Sequence, residues 1–126
     1  MTDAASTGRQ NISSGSAYEP VLGYSRAVKV GQQVHVAGTT APGEDAATQA
    51  RAALATIGGA LEQAGATFAD VVRTRVYLTD IADFDAVGAV HGEVFGDIRP
   101  ATAIVQVVAL AGPDTKVEIE ADAYLG

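Results

Sequence analysis

Cysteine is absent from the 126 residues, and so is tryptophan. Without a thiol there is no disulfide, no thiolate nucleophile and no thiolate-held zinc. The two histidines, His35 and His91, are too few for an all-histidine metal site, so no metal and no cofactor is expected. Basic residues are scarce too: eight Lys and Arg stand against fifteen Asp and Glu, a net charge of −7. A phosphate backbone is held by clustered cations, and the nearest thing to a cluster is the pair Arg73 and Arg75. This argues against nucleic acid as a partner. No apolar run approaches the roughly 20 residues that a membrane-crossing helix needs. Residues 1–16, rich in Ser, Thr, Gly and Ala, lack the basic and apolar regions of a signal peptide. They read as a mobile tail ahead of one domain, residues 17–126, and a cytoplasmic protein is expected. Gly-x-Ser-x-Gly, Gly-x-Gly-x-x-Gly and P-loop patterns are missing as well, so covalent serine hydrolysis and dinucleotide use have no support.

What is present is a 48% hydrophobic chain of the size that buries one core. Two short β-branched runs, Ala27 to Val30 and Val34 to Ala37, flank Gly31-Gln32-Gln33 as a hairpin. Leu54, Ile57 and Leu61 recur at helical spacing between Ala46 and Ala64, with an acid at Glu44 or Asp45 to start the helix and Gly65 to stop it. Gly58 and Gly59 inside that helix should each cost roughly 1 kcal/mol relative to alanine. Close packing against a sheet would explain them, and simple tolerance is the alternative. Thr67 to Asp70 has the form of a capping box ahead of a strand, Val71 to Leu78, whose alternation puts Val72, Thr74, Val76 and Leu78 on one face. A second helix begins at Asp80 or Asp83, aligns Phe84, Val87, His91, Val94 and Phe95, and ends near Gly96. Strands over Ala103 to Leu110 and Lys116 to Tyr124 complete an α+β order, β-β-α-β-α-β-β, with two helices on one face of one sheet. The other face carries Arg73, Arg75 and a row of acids, too polar for a second core, which suits a subunit interface or a pocket.

That acid row lies on the last strand. Glu118, Glu120, Asp122 and Tyr124 face one way, while Val117, Ile119, Ala121 and Ala123 face the other. Its simplest role is a solvated edge or salt bridges to Arg73 and Arg75. The sharper alternative is one carboxylate in a partly desolvated pocket, raised in pKa and able to move a proton on water or substrate. His91, within an apolar stripe, is either a hydrogen-bonded core or interface residue or part of a site. His35, in a strand, reads as a surface or interface residue.

Five strings in order, Tyr24-Ser25-Arg26-Ala27-Val28, Val36-Ala37-Gly38, Val71 to Asp80, Arg99-Pro100-Ala101 and Val117-Glu118-Ile119-Glu120-Ala121, carry a likeness to known proteins. From Tyr18 to Tyr124 the chain resembles the Rid family, the reactive intermediate deaminases also called YjgF-like proteins. The resemblance implies a chorismate-mutase-like fold, a homotrimer whose sheets line a central barrel, and pockets in the clefts between subunits. It also implies a small-molecule substrate, an imine or enamine hydrolysed to a carbonyl compound and ammonia. Glu118 matches the glutamate thought to orient or activate water if the turn around Ala111 to Asp114 holds one extra residue, with Glu120 the lesser candidate. Tyr24 matches the pocket tyrosine, and Gly38 belongs to a matching string beside the site. The chain departs from the family elsewhere. Thr102 stands where deaminating members carry a carboxylate-binding arginine, Gly88 where an asparagine is frequent, and His91 near a tyrosine position. A threonine carries no charge, so Arg99 or Arg26 is left as a substitute cation, with Thr102 and His91 shaping the pocket. Two readings stay open: an imine or enamine hydrolase using Glu118, and a non-catalytic trimer that binds a metabolite or protein.

Overall fold

The computed structural model describes residues 8–126. Six strands form one sheet: β1 (Arg9–Ile12), β2 (Ala27–Val30), β3 (Gln33–Thr39), β4 (Val71–Leu78), β5 (Ala101–Gln106) and β6 (Val117–Tyr124). Their order across the sheet is β1-β2-β3-β6-β4-β5, antiparallel except for the β4/β5 pair. Among the described residues three α-helices, α1 (Tyr18–Leu22), α2 (Ala46–Gln63) and α3 (Phe84–Phe95), complete the fold, and no helix is long and apolar enough to cross a membrane.

The long helix forms where its signals lie. The Asp45 carboxylate accepts from the Thr48 amide at 2.8 Å, which caps the start. At the far end Gly65 takes φ +81°, letting the Gly65 amide reach the Glu62 carbonyl and the Ala66 amide the Leu61 carbonyl. This is a Schellman stop. Ala50, Ala53, Leu54, Ile57 and Leu61 are buried against β3 and β6, and α3 packs beside them. Thr67 and Asp70 make the expected capping box on a single 3-10 turn.

Several expectations are corrected. The stretch expected to be a tail contributes β1, which pairs with β2 and buries Ile12; residues 1–7 of that stretch lie outside the described residues. A lone buried isoleucine gives no alternation to read, so pairing with β2 supplies what local pattern does not. The short α1 also escaped, because its Pro20 and five-residue length carry no periodic signal. It ends at Gly23, φ +79°, and its Glu19 accepts from both the amide (3.0 Å) and hydroxyl (2.7 Å) of Ser14. These bonds hold the Glu19 carboxyl down at about 2. A register shift between Val71 and Arg73 against β6 buries Val71 and turns Val72 outward. The fifth strand stops at Gln106, and residues 107–116 form a loop. On α3, Phe84 is exposed and Val90 takes its expected place in the core.

The two helix glycines separate. A Cβ on Gly58 would come within 2.9 Å of the Phe68 ring, which itself sits edge-on to Phe95 with centroids 5.4 Å apart. Its close packing is therefore against this ring and not the sheet. Gly59 faces open space. Gly59→Ala is expected to raise stability by about 1 kcal/mol, seen as a higher denaturant midpoint at unchanged slope, while Gly58→Ala gains nothing. Equal gains from both would contradict the packing argument.

Candidate functional site

Because β6 lies between β3 and β4, its two faces meet different surroundings. Val117, Ile119, Ala121 and Ala123 are buried under the helices. On the other face the acids are sorted by their neighbours. Glu120 accepts from the Tyr77 hydroxyl at 2.9 Å and from Arg75 Nη1 at 3.3 Å. Asp122 pairs with Arg75 Nη1 at 3.1 Å and with His35 Nδ1 at 2.8 Å. The expected salt bridging is thus present through Arg75, while among the described residues Arg73 makes no ion pair with these acids. Glu118, cross-strand from Tyr77, has no hydrogen-bond or ion-pair partner among the described residues.

The Glu118 side chain lies over Gly38, so closely that any Cβ at that position would collide with its carboxylate. A side chain at position 38 would push the Glu118 carboxylate aside. Burial pushes the Glu118 carboxyl up from its ordinary 4.5, the charge of Glu120 adds to the rise, and Arg26 opposes it. Glu118 is thus a partly buried acid whose oxygens have no hydrogen-bond partner among the described residues.

Gly38 and Ala37 fall in an irregularity of β3, where the register against β6 shifts between Val36 and Thr39. Carbonyls freed from the ladder there turn toward Arg26. Its Nη1 donates to the Gly38 carbonyl at 2.9 Å, to Thr39 Oγ1 at 2.7 Å and, more weakly, to the Ala37 carbonyl at 3.4 Å. The guanidinium carbon stands 5.7 Å from the centroid of the Tyr24 ring, a cation–π arrangement. Tyr24 and Ala37 help line a cleft of about 770 Å³ whose floor includes His35, Arg75, Glu120 and Asp122. A second cleft of about 640 Å³ lies along residues 108–116 and touches none of the expected site residues.

Thr102, His91 and Arg99 sit elsewhere. Thr102 on the edge strand β5 is paired with Thr74, a fully buried residue in phase with Val76 and Leu78, and so lies on the helix side of the sheet. Thr102 Oγ1 donates to the Pro100 carbonyl at 3.1 Å, and Thr74 Oγ1 is 2.8 Å from both Thr102 Oγ1 and His91 Nε2. Each hydroxyl has one proton, so all three bonds are made together only if His91 Nε2–H donates to Thr74 and Thr74 donates to Thr102. Burial lowers the His91 pKa from 6.5, and the neutral ring then leaves Nδ1 as its basic nitrogen. Arg99 is exposed, with φ +58°, and its amide closes the end of α3 on the Phe95 carbonyl. One chain therefore brings Tyr24, Gly38, Arg26 and Glu118 together and holds Thr102 and His91 on the opposite face. Sequence reasoning missed Thr74 and Thr39, whose partners are set by strand pairing rather than local spacing. Among the described residues no group of three His, Asp or Glu is arranged to hold a metal.

Comparisons with known proteins agree with the fold and the strings. The family model described as Endoribonuclease L-PSP matches residues 14–125. A 2-iminobutanoate/2-iminopropanoate deaminase of Rattus norvegicus is 36% identical over 127 residues, covering 94% of this chain and 91% of that protein. The 3-aminoacrylate deaminase RutC of Acinetobacter baylyi is 36% identical over 114 residues, 84% of this chain and 90% of its own length. Among solved structures, Rv2704 of Mycobacterium tuberculosis, a member of the YjgF/YER057c/UK114 family, superimposes with a TM-score of 0.91 at 59% identity, covering 92% of this chain and 98% of that one. The chain belongs to the Rid, or YjgF-like, family and has its chorismate-mutase-like α+β fold.

Proposed function

We propose that this protein hydrolyses a reactive imine or enamine to a carbonyl compound and ammonia, with Glu118 activating the water. The observation that carries the reading is that Glu118 alone in its row keeps a free carboxylate in a partly desolvated setting. Related proteins named as imino-acid and aminoacrylate deaminases support the same class of reaction. In the step envisaged, an imine protonated on nitrogen is attacked by water: a water O–H gives its proton to Glu118 while the oxygen adds to the C=N carbon, giving a neutral carbinolamine. Glu118 then passes that proton to nitrogen, and as the C–N bond breaks and ammonia leaves, the carbinolamine hydroxyl gives its proton back to Glu118 and becomes the carbonyl; ammonia takes that proton away as ammonium. One carboxylate serves as base and then acid, which works best when its pKa is raised toward the operating pH.

Tyr24 and Gly38 bound the site on the Glu118 side. Thr102 and His91, held on the far face of the same sheet, reach such a site only from a neighbouring subunit, which fits a homotrimer with clefts between protomers. Arg99, at the turn into β5, belongs to that second group. The net charge of −7 favours a small-molecule substrate over nucleic acid, whatever the description of the matched family model.

The test is to generate imines of alanine and leucine, and of non-carboxylate amines, in the presence of the protein and to follow carbonyl and ammonia release. Acceleration in proportion to protein is expected with at least one of them. Release at the spontaneous rate throughout would overturn the reading and favour a binding protein, for which threonine at position 102 is the supporting observation. Thr102→Arg separates the two: new hydrolysis of 2-imino acids by this variant would mean that the catalytic half of the site is intact.

A further inference from the structure

On the helix side of the sheet edge, the direction of a short hydrogen-bond chain can be worked out from its last member. Thr74 Oγ1, in a fully buried residue, stands 2.8 Å from both His91 Nε2 and Thr102 Oγ1, and Thr102 Oγ1 is 3.1 Å from the Pro100 carbonyl. A carbonyl only accepts, so the Thr102 proton goes to Pro100, the Thr74 proton to Thr102, and His91 Nε2–H to Thr74. The opposite direction gives up the Pro100 bond and makes one fewer. Every proton of the chain is thereby used inside it. What it leaves over can only accept: Nδ1 of a neutral His91, and the remaining lone pair of Thr102 on the exposed edge strand.

The ring is also fixed and reachable. It packs on Phe95, with centroids 4.7 Å apart and planes tilted by 40°. Its Nδ1 has no partner among the described residues and is not buried. Burial of the rest of the ring holds its pKa below 6.5, so it is neutral at neutral pH. Gly88 lies one turn earlier on α3, the side toward which a helical side chain at 91 leans. A Cβ on Gly88 would meet nothing within 4 Å. Glycine inside a helix weakens it, and no contact among the described residues calls for one there. The room it leaves is beside the His91 ring.

We propose that His91 is a specificity-determining residue whose Nδ1 accepts an N–H from a substrate ending in a neutral nitrogen donor, such as a primary amide, in place of a carboxylate. Thr74 and Thr102 are positioning residues that fix its tautomer. A carboxylate at this place would set its lone pairs against Nδ1 and Thr102 Oγ1, neither of which has a proton to offer, and would lose water without gaining a bond. Arg99 enters β5 three residues before Thr102, so a neutral donor suits the place better than an ammonium. Threonine at 102 completes the chain, and glycine at 88 makes room for what binds to it. The inference rests on the Glu118 reading for what happens to the substrate, but not for whether the donor binds.

The experiment uses the whole protein at neutral pH and two unreactive probes of one shape, butanamide and butanoate, with binding followed by the ring-nitrogen resonances of His91. The free protein is expected to show Nε2 protonated and Nδ1 bare. Butanamide is expected to move the Nδ1 resonance and to bind about tenfold more tightly than butanoate, the effect of one hydrogen bond made or missed. The net charge of −7 also disfavours butanoate, so variants that leave it unchanged decide the cause. His91→Phe keeps an aromatic ring against Phe95 and is expected to lose most of the preference. Thr74→Val, nearly isosteric, is expected to keep native circular dichroism while the ring becomes a mixture of tautomers and the preference falls. A ring protonated on Nδ1, an Nδ1 resonance that butanamide does not move, or butanoate bound as tightly as butanamide would each overturn the proposal. So would a preference that His91→Phe leaves intact, and a single unchanged tautomer in Thr74→Val would remove the positioning role of the chain. Glu118→Gln separates the two readings: it is expected to keep the amide preference whether or not the protein proves to be a catalyst.

Discussion

Glu118→Gln is expected to lower the rate of imine hydrolysis by about 10²- to 10⁴-fold, the range over which a positioned general acid–base group contributes. The substitution is nearly isosteric, so the packing over Gly38 survives and the loss reports the proton-handling oxygen rather than the shape of the site. Its effect on stability should run the other way. The folded-state pKa of Glu118 is raised, chiefly by burial and then by Glu120, so ionising the group costs folding free energy. That cost is absent below the ordinary carboxylate pKa of 4.5 and grows as pH rises through the elevated folded value. Activity requiring the ionised form rises over the same window, so the acid limb of the pH–rate profile should lie above 4.5. The glutamine variant removes both, and at neutral pH it is expected to be at least as stable as wild type by denaturant titration. A loss of stability with an unaltered rate would sink the assignment. A site that the fold would be more stable without is what a functional carboxylate produces.

The parts of this arrangement that could be read from the sequence are those set by near neighbours in the chain. Asp45, Gly65 and the Thr67-to-Asp70 box announce themselves by spacing, and alternation alone places Glu118, Glu120 and Asp122 on one face of β6. What alternation cannot say is which acid is free. That depends on Arg75, Tyr77 and His35, which arrive from β4 and β3 by pairing across tens of residues. The same holds for Arg26, whose place in a matching string was legible but whose hydrogen bonds exist only because the β3 ladder slips at Ala37 and Gly38. Thr102 was legible as a position without charge. Its face was not, because the parallel pairing with Thr74 is fixed only when β4, α3 and β5 are assembled.

One buried amide stands at the entry to the strand that carries Glu118, and its removal should have the largest effect on stability. Gln49, almost fully buried on α2, donates from Nε2 to the Gly43 and Asp114 carbonyls at 3.0 Å each and accepts the Lys116 amide on Oε1 at 2.8 Å. It thereby ties the loop before α2 to the turn that leads into β6. Gln49→Leu keeps the volume and deletes all three bonds, leaving two carbonyls and an amide without partners. At roughly 1 kcal/mol for each bond, with further cost for groups left unpaired, the expected loss is about 2–4 kcal/mol. It should appear as a lower denaturant midpoint with an unchanged slope. If the amide also sets the start of β6, catalysis in the folded fraction should fall as well, because a one-residue slip in a strand turns every side chain to the other face and would carry Glu118 into the core. Full stability in Gln49→Leu would show that the turn holds itself. A stability loss with normal turnover per folded molecule would place the control of β6 phase in the ladders with β3 and β4 instead.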